Sequence, residues 1–254
     1  MLIYTATPAR IVQYGMNVLV YGNQGSGKTY FAAQAQDHPE MRDVLVLNVE
    51  GGMMTLAGRG DISVVDIRSM EQLEDVQRAF QSKSDEVQRF RTVVLDSITE
   101  LQRINLETIA SSRARGNPDE IQKQYYNTSA LQIGRILRFF RDLPVNFIVT
   151  ALTREEREGG EDGKVIGIVP ALTFAARQYL TQYMDAVWYL YTKEGENGLE
   201  YKMITREHNL VKAKTRGLVF GQRLDTVMSN IGIQKLFDLY IESEIAEAER
   251  RKAV

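Results

Sequence analysis

Gly22-Asn23-Gln24-Gly25-Ser26-Gly27-Lys28-Thr29 is the stretch on which the fold turns. It fits G-x-x-x-x-G-K-[ST], a loop whose backbone N–H groups cradle phosphates. An apolar run over residues 16–21 precedes it and reads as a buried strand. The run after it, 30–35, reads as a helix, so the loop has the strand–loop–helix setting that the motif needs. Glycines let the chain curl until successive N–H groups point inward. The helix beginning at Gly27-Lys28-Thr29 turns its positive dipole end to the same place. Lys28 then reaches the β- and γ-phosphates and the Thr29 hydroxyl ligates Mg²⁺; Tyr30 is a further nucleotide contact.

Working outward, the 254 residues suit one α/β domain or a core with a long excursion. At 44% hydrophobic and 25% charged residues the composition is that of an ordinary soluble globular chain. A formal net charge of −2 sets up no global field toward nucleic acid, so any polyanion surface must be a local patch. The absence of cysteine excludes disulfides and thiolate zinc sites and fits a reducing compartment. Only His38 and His208 offer imidazoles, too few for a histidine metal cluster. No signal peptide and no membrane-length apolar segment is visible, and a cytoplasmic location is expected.

Along the chain, apolar strands are expected at 44–49, 62–67, 92–96 and 145–150. Ser69 with Gln72 makes a capping box for a helix to about Ser82, with Leu73, Val76 and Phe80 at helical spacing. Helices are also expected from Ser97 to about Ser111, over 129–142 with Leu131, Ile136, Leu137 and Phe140 on the apolar side, and over 171–182. Segments 112–127 and 153–164 read as loops, the second too polar to pack. Residues 186–191, 200–206 and 210–214 suggest a β-meander around the turn at 193–198. A terminal helix runs from Ile231 to Lys252. The alternation gives a mainly parallel sheet with helices on both faces and antiparallel strands at one edge. The domains are a strand and linker at 1–14, a core at 15–222 and a helical segment at 223–254.

Hydrolysis needs a metal site and a base. Asp96 ends an apolar strand, where a carboxylate holds Mg²⁺ through its water shell; its other reading is a cap on the helix beginning near Ser97. Ser97 stands where many ATPases carry the water-activating glutamate, so the base lies elsewhere. Glu50 ends the strand after the phosphate-loop helix, and strand C-termini face the ligand crevice. Glu100, one helical turn beyond Asp96, is the alternative.

These residues resemble the RecA/RadA core. Four pieces agree in order over residues 14–220: the phosphate loop, the strand ending in Glu50, Val93-Val94-Leu95-Asp96-Ser97, and Leu210-Val211-Lys212-Ala213-Lys214. The chain looks most like small phage RecA-like ATPases, including those similar to Sak-type single-strand annealing proteins. The resemblance implies an ATP-hydrolysing, Mg²⁺-dependent homo-oligomer, a ring or a filament, with ATP between subunits. Lys212 and Lys214 would reach across to the neighbour's γ-phosphate; without it they read as exposed edge-strand charges. It also implies single-stranded DNA binding in recombination, annealing or repair, with a single-strand binding protein as a further partner, in a phage-infected bacterial cytoplasm. The DNA loops would carry Arg113, Arg115, Lys123, Tyr125 and Tyr126, then Arg154, Arg157 and Lys164. The second loop is net acidic, with Glu155, Glu156, Glu158, Glu161 and Asp162, which departs from a simple DNA surface. Thr150 to Thr153 occupies the place of the family's glutamine sensor. The other classes open to the sequence are an assembly or regulatory ATPase that ignores DNA, and a small-molecule kinase with Arg154 and Arg157 in a lid.

Overall fold

A computed structural model describes residues 15–113, 122–159, 162–196 and 198–252. The expected strand at the N-terminus and most of the first loop, Arg115 included, lie outside the described residues.

The phosphate-loop strand β1 (Asn17–Gly22) is buried along its whole length. It lies between β5 (Asn146–Arg157) and β7 (Ala186–Gly195), parallel to both. Beyond β5 come β4 (Thr92–Asp96), β2 (Val44–Asn48) and β3 (Ser63–Asp66), all parallel. Beyond β7 come β8 (Gly198–Ile204) and β10 (Val227–Ser229), both antiparallel to their neighbours. The fold class read from the alternation therefore holds: an α/β sheet, mainly parallel, with antiparallel strands at one edge. Burial on both faces explains why the central strands are continuous apolar runs rather than alternating ones.

One face packs Leu19, Leu47, Leu95 and Phe147 against α2 (Met70–Gln81), α3 (Asp85–Gln88), α4 (Ile98–Arg113), α5 (Lys123–Arg141) and α6 (Phe174–Tyr183). The other packs Val18, Val20, Ile148 and Trp188 against α1 (Lys28–Ala33), α7 (Leu218–Arg223) and α8 (Ile233–Lys252). The residues beyond 222 join this same body, since β10 extends the sheet and Ile233, Leu236 and Phe237 enter the second core. The capping box is present as read: the Ser69 hydroxyl accepts from the Gln72 N–H.

Four readings change. The loop at 112–127 is shorter than expected, because α5 already begins at Lys123. Leu131, placed on the apolar side of that helix, is 53% exposed; a longer helix carries its buried stripe on Ala130, Ile133 and Leu137 instead. The polar segment 153–164 is no loop: β5 continues to Arg157 and pairs antiparallel with β6 (Val165–Pro170). Polar residues build a strand there because β5 runs past the core beyond Ala151, where its side chains are half-buried or exposed. Finally, 210–214 makes no third meander strand. Val211 makes isolated bridges to Ile168 and His208, and β9 (Lys214–Thr215) pairs with the start of β7, where β8 has left the edge open.

Candidate active site

The phosphate loop needs close backbone approach, and two glycines show why. A Cβ on Gly22 would stand 2.1 Å from the Leu190 carbonyl oxygen. Gly27 has φ of 85°, a left-handed conformation that glycine adopts freely. The turn is closed by Ser26 N–H donating to the Asn23 carbonyl at 3.2 Å. Lys28 is buried, and its Nζ donates to the loop's own carbonyls, Gly22 at 3.2 Å and Asn23 at 2.8 Å. Burial pushes the Lys28 ammonium below its ordinary pKa, and the carboxylates of Glu50 and Asp96 oppose that shift. The Ser26 hydroxyl is buried with no hydrogen-bond partner among the described residues. A buried lysine held only by neutral carbonyls, beside an orphaned hydroxyl and the start of a helix, fits a polyanion.

Parallel pairing brings the second acid to the loop. Asp96 and Thr150 end runs on β4 and β5, and β5 lies directly beside β1. The Thr29 hydroxyl donates to Asp96 Oδ2 at 2.8 Å, and the Thr150 hydroxyl donates to Asp96 Oδ1. Asp96 is 4% exposed, so it holds these groups within the core rather than capping a surface helix. An alcohol and a carboxylate facing one another are hard oxygen donors of the kind magnesium takes. Among the described residues no cluster of three or more His, Cys, Asp or Glu could hold a metal by itself.

Glu50 lies just past β2, with its backbone N–H donating to the Asp96 carbonyl at 3.1 Å. Its side chain is exposed and faces a cavity of about 540 Å³ that Gln24, Gly25, Lys28, Thr29, Tyr30 and Asp96 also line. Arg68 donates to the Val49 carbonyl at 3.2 Å and so braces the turn that carries Glu50. Glu100 does not line this cavity. It is paired with Arg103, whose hydrogen bonds hold the Glu100 carboxyl below the usual range.

Lys212 and Lys214 do not line the cavity of their own chain. Lys212 is exposed and paired with Glu207. Lys214 sits partly buried on β9, facing a separate open cleft with Tyr179 and Gln182. Burial, followed by the charge of Arg216, pushes its ammonium down to about 8. Lys212 lies outside any strand, so of the expected edge-strand pair only Lys214 stands on one.

The other expected contacts are dispersed. Arg113 ends α4, and Lys123 and Tyr126 are exposed on the first turn of α5. Tyr125 is 5% exposed and packs on Leu106, Ile109 and Ala110. Arg154 and Arg157 stand on β5, and the Lys164 carbonyl accepts from Glu158 N–H across the hairpin. Arg157 is paired with Glu155, and Glu156 is taken by the buried Arg177 at 2.6 Å. Sequence reasoning missed Tyr201, a β8 residue at the rim of the cavity, and the tie from Thr150 to Asp96. Both depend on strand neighbours distant in sequence. The only local signal was Thr150 at the end of an apolar run.

The AAA domain family matches residues 14–217. No curated protein matches the chain. Among solved structures, a KaiC-like protein from the hyperthermophilic archaeon Pyrococcus horikoshii is similar at 15% identity, covering 76% of this chain and 79% of that one, with a TM-score of 0.43.

Proposed function

The chain belongs to the AAA domain family, and from that membership we propose that it binds and hydrolyses ATP at the mouth of β1. The supporting observation is convergence: Lys28, Thr29, Asp96 and Glu50, from three separate strand ends, line one cavity. Loop N–H groups and Lys28 hold the triphosphate. A magnesium ion between Thr29 and Asp96 would neutralise charge on the β- and γ-oxygens. Glu50 orients and deprotonates the attacking water. Lys212 and Lys214, remote from their own cavity, complete a neighbour's site in a ring or filament, where cations meet charge developing on the γ-phosphate.

The biological reading is a phage-type protein of recombination, annealing or repair that binds single-stranded DNA. A second reading has a specific observation behind it. The β5–β6 hairpin is net acidic in sequence, its Arg157 is spent on its own Glu155, and Glu156 is taken by Arg177 of α6. That charge balance suits a protein partner and an assembly ATPase. ATP turnover with and without single-stranded DNA, measured beside the mass of the nucleotide-bound assembly, separates the two. Stimulation by DNA in a multimer supports the first; a multimer indifferent to DNA supports the second. A monomer with no turnover would sink both.

A further inference from the structure

We infer that Asn48 is a positioning residue for the reaction, one arm of a clamp with Asp66 and Arg68 that fixes where the Glu50 carboxylate stands. This rests on the reading of Glu50 as the group that orients water, and adds what holds that group in place.

Asn48 closes a strand that is otherwise Val44-Leu45-Val46-Leu47, and it is 2% exposed. A buried carboxamide is costly unless its polar atoms are bonded. Here both ends are used. The Asn48 Oδ1 accepts from the Gly51 N–H at 2.9 Å, and its Nδ2 donates to Asp66 Oδ1. The parallel register makes this possible, since Asn48 lies directly beside Asp66 on β3 and Asp96 on β4.

The same carboxylate oxygen holds a second arm. Arg68 Nη2 donates to Asp66 Oδ1 at 3.3 Å, and Arg68 Nη1 donates to the Val49 carbonyl at 3.2 Å. Asn48 therefore grips the residue after Glu50, Arg68 grips the residue before it, and the two arms meet on one oxygen. From the opposite strand, the Val49 and Glu50 N–H groups donate to the Asp96 carbonyl at 2.7 and 3.1 Å. The backbone on either side of Glu50 is thus held from both neighbours of β2, from β3 through Asp66 and from β4 through Asp96.

The Glu50 side chain itself is exposed at the phosphate cavity and has no hydrogen-bond partner among the described residues. Its position is set through its backbone, and so through the clamp. A reacting group displaced by about 1 Å can lose about a hundredfold in rate. The triphosphate is gripped elsewhere, by the loop N–H groups and Lys28. Loosening the clamp should therefore lower kcat and spare nucleotide affinity. A purely structural Asn48 would instead lower binding and turnover together.

The test measures steady-state ATP turnover of the full chain beside calorimetric binding of a non-hydrolysable ATP analogue. Asn48→Leu should lower kcat by about ten- to a hundredfold and leave analogue affinity within about twofold. Asn48→Asp keeps an acceptor for Gly51 but sets a carboxylate against Asp66, and kcat should fall again. The exchanged pair Asn48→Asp/Asp66→Asn swaps donor and acceptor between the two positions and should recover most of that rate. In a Glu50→Gln background, Asn48→Leu should cost no further rate, because the clamp acts through that carboxylate. Wild-type kcat in both Asn48 single variants overturns the clamp. So does an equal loss with and without the Glu50 carboxylate, or a loss of analogue binding that the exchanged pair does not repair. Unchanged turnover in Glu50→Gln alone overturns the base reading beneath it.

Discussion

At the residue scale the proposed chemistry is divided between Lys28 and Glu50. Lys28 is a buried cation whose hydrogen-bond partners are neutral carbonyls, so it has charge to give to a phosphate. Lys28→Ala should abolish ATP turnover in a steady-state phosphate-release assay; normal turnover would remove the site assignment. Glu50 carries a carboxylate at the cavity without structural duties for its side chain among the described residues. Glu50→Gln should therefore keep nucleotide binding while hydrolysis falls about a hundredfold or more. Unchanged hydrolysis would return attention to Glu100, although that carboxylate is held by Arg103. Both residues were legible in the sequence, because a motif fixes Lys28 and a strand end fixes Glu50. Thr150 was visible only as a strand terminus; its hydroxyl meets Asp96 because β4 and β5 are neighbours, a fact no local pattern contains.

At the scale of elements, the β5–β6 hairpin departs most from expectation. Arg154 to Arg157 are polar enough to suggest a loop, yet the backbone pairs regularly from Thr153↔Pro170 to Glu155↔Ile168. The hairpin is anchored below by Arg177, whose side chain is 9% exposed and bonded to Glu156. One of its guanidinium nitrogens has no partner among the described residues. Removing its one paired carboxylate among the described residues should be costly: Glu156→Gln should lower stability by about 1–3 kcal/mol, checked by urea denaturation. On the other face, Trp188 is fully buried between Phe31 and Phe220. Trp188→Ala should cost about 3–5 kcal/mol in the same measurement, because α1 and α7 both lose their packing partner.

At the scale of the whole molecule, Lys212 and Lys214 do not line the cavity of their own chain. If they act on a neighbour, mixing subunits lacking Lys28 with subunits lacking Lys212 and Lys214 should restore part of the activity that each lacks alone. No recovery at any ratio would argue against action across an interface. Lys214 also sets a pH dependence, since its folded value of about 8 lies below its ordinary one. Between the two values the unfolded chain binds more protons, so this group's contribution to stability rises with pH. Its positive charge is lost in the folded state as pH passes about 8, so kcat/KM of the assembly should fall there. Lys214→Arg should extend the plateau to higher pH; an unchanged profile would exclude the lysine from the reaction.

The sequence by itself determined the phosphate loop, the parallel core and the acids at its strand ends, because each is written in contiguous residues whose backbone needs or apolar runs are local. Only the tertiary structure decided that Asp96 sits between two hydroxyls, that the polar run after Thr150 is a hairpin, and that Asn48 and Arg68 meet on Asp66 around the Glu50 turn. Those facts depend on which strands become neighbours, and strand order is set by the packing of both sheet faces at once.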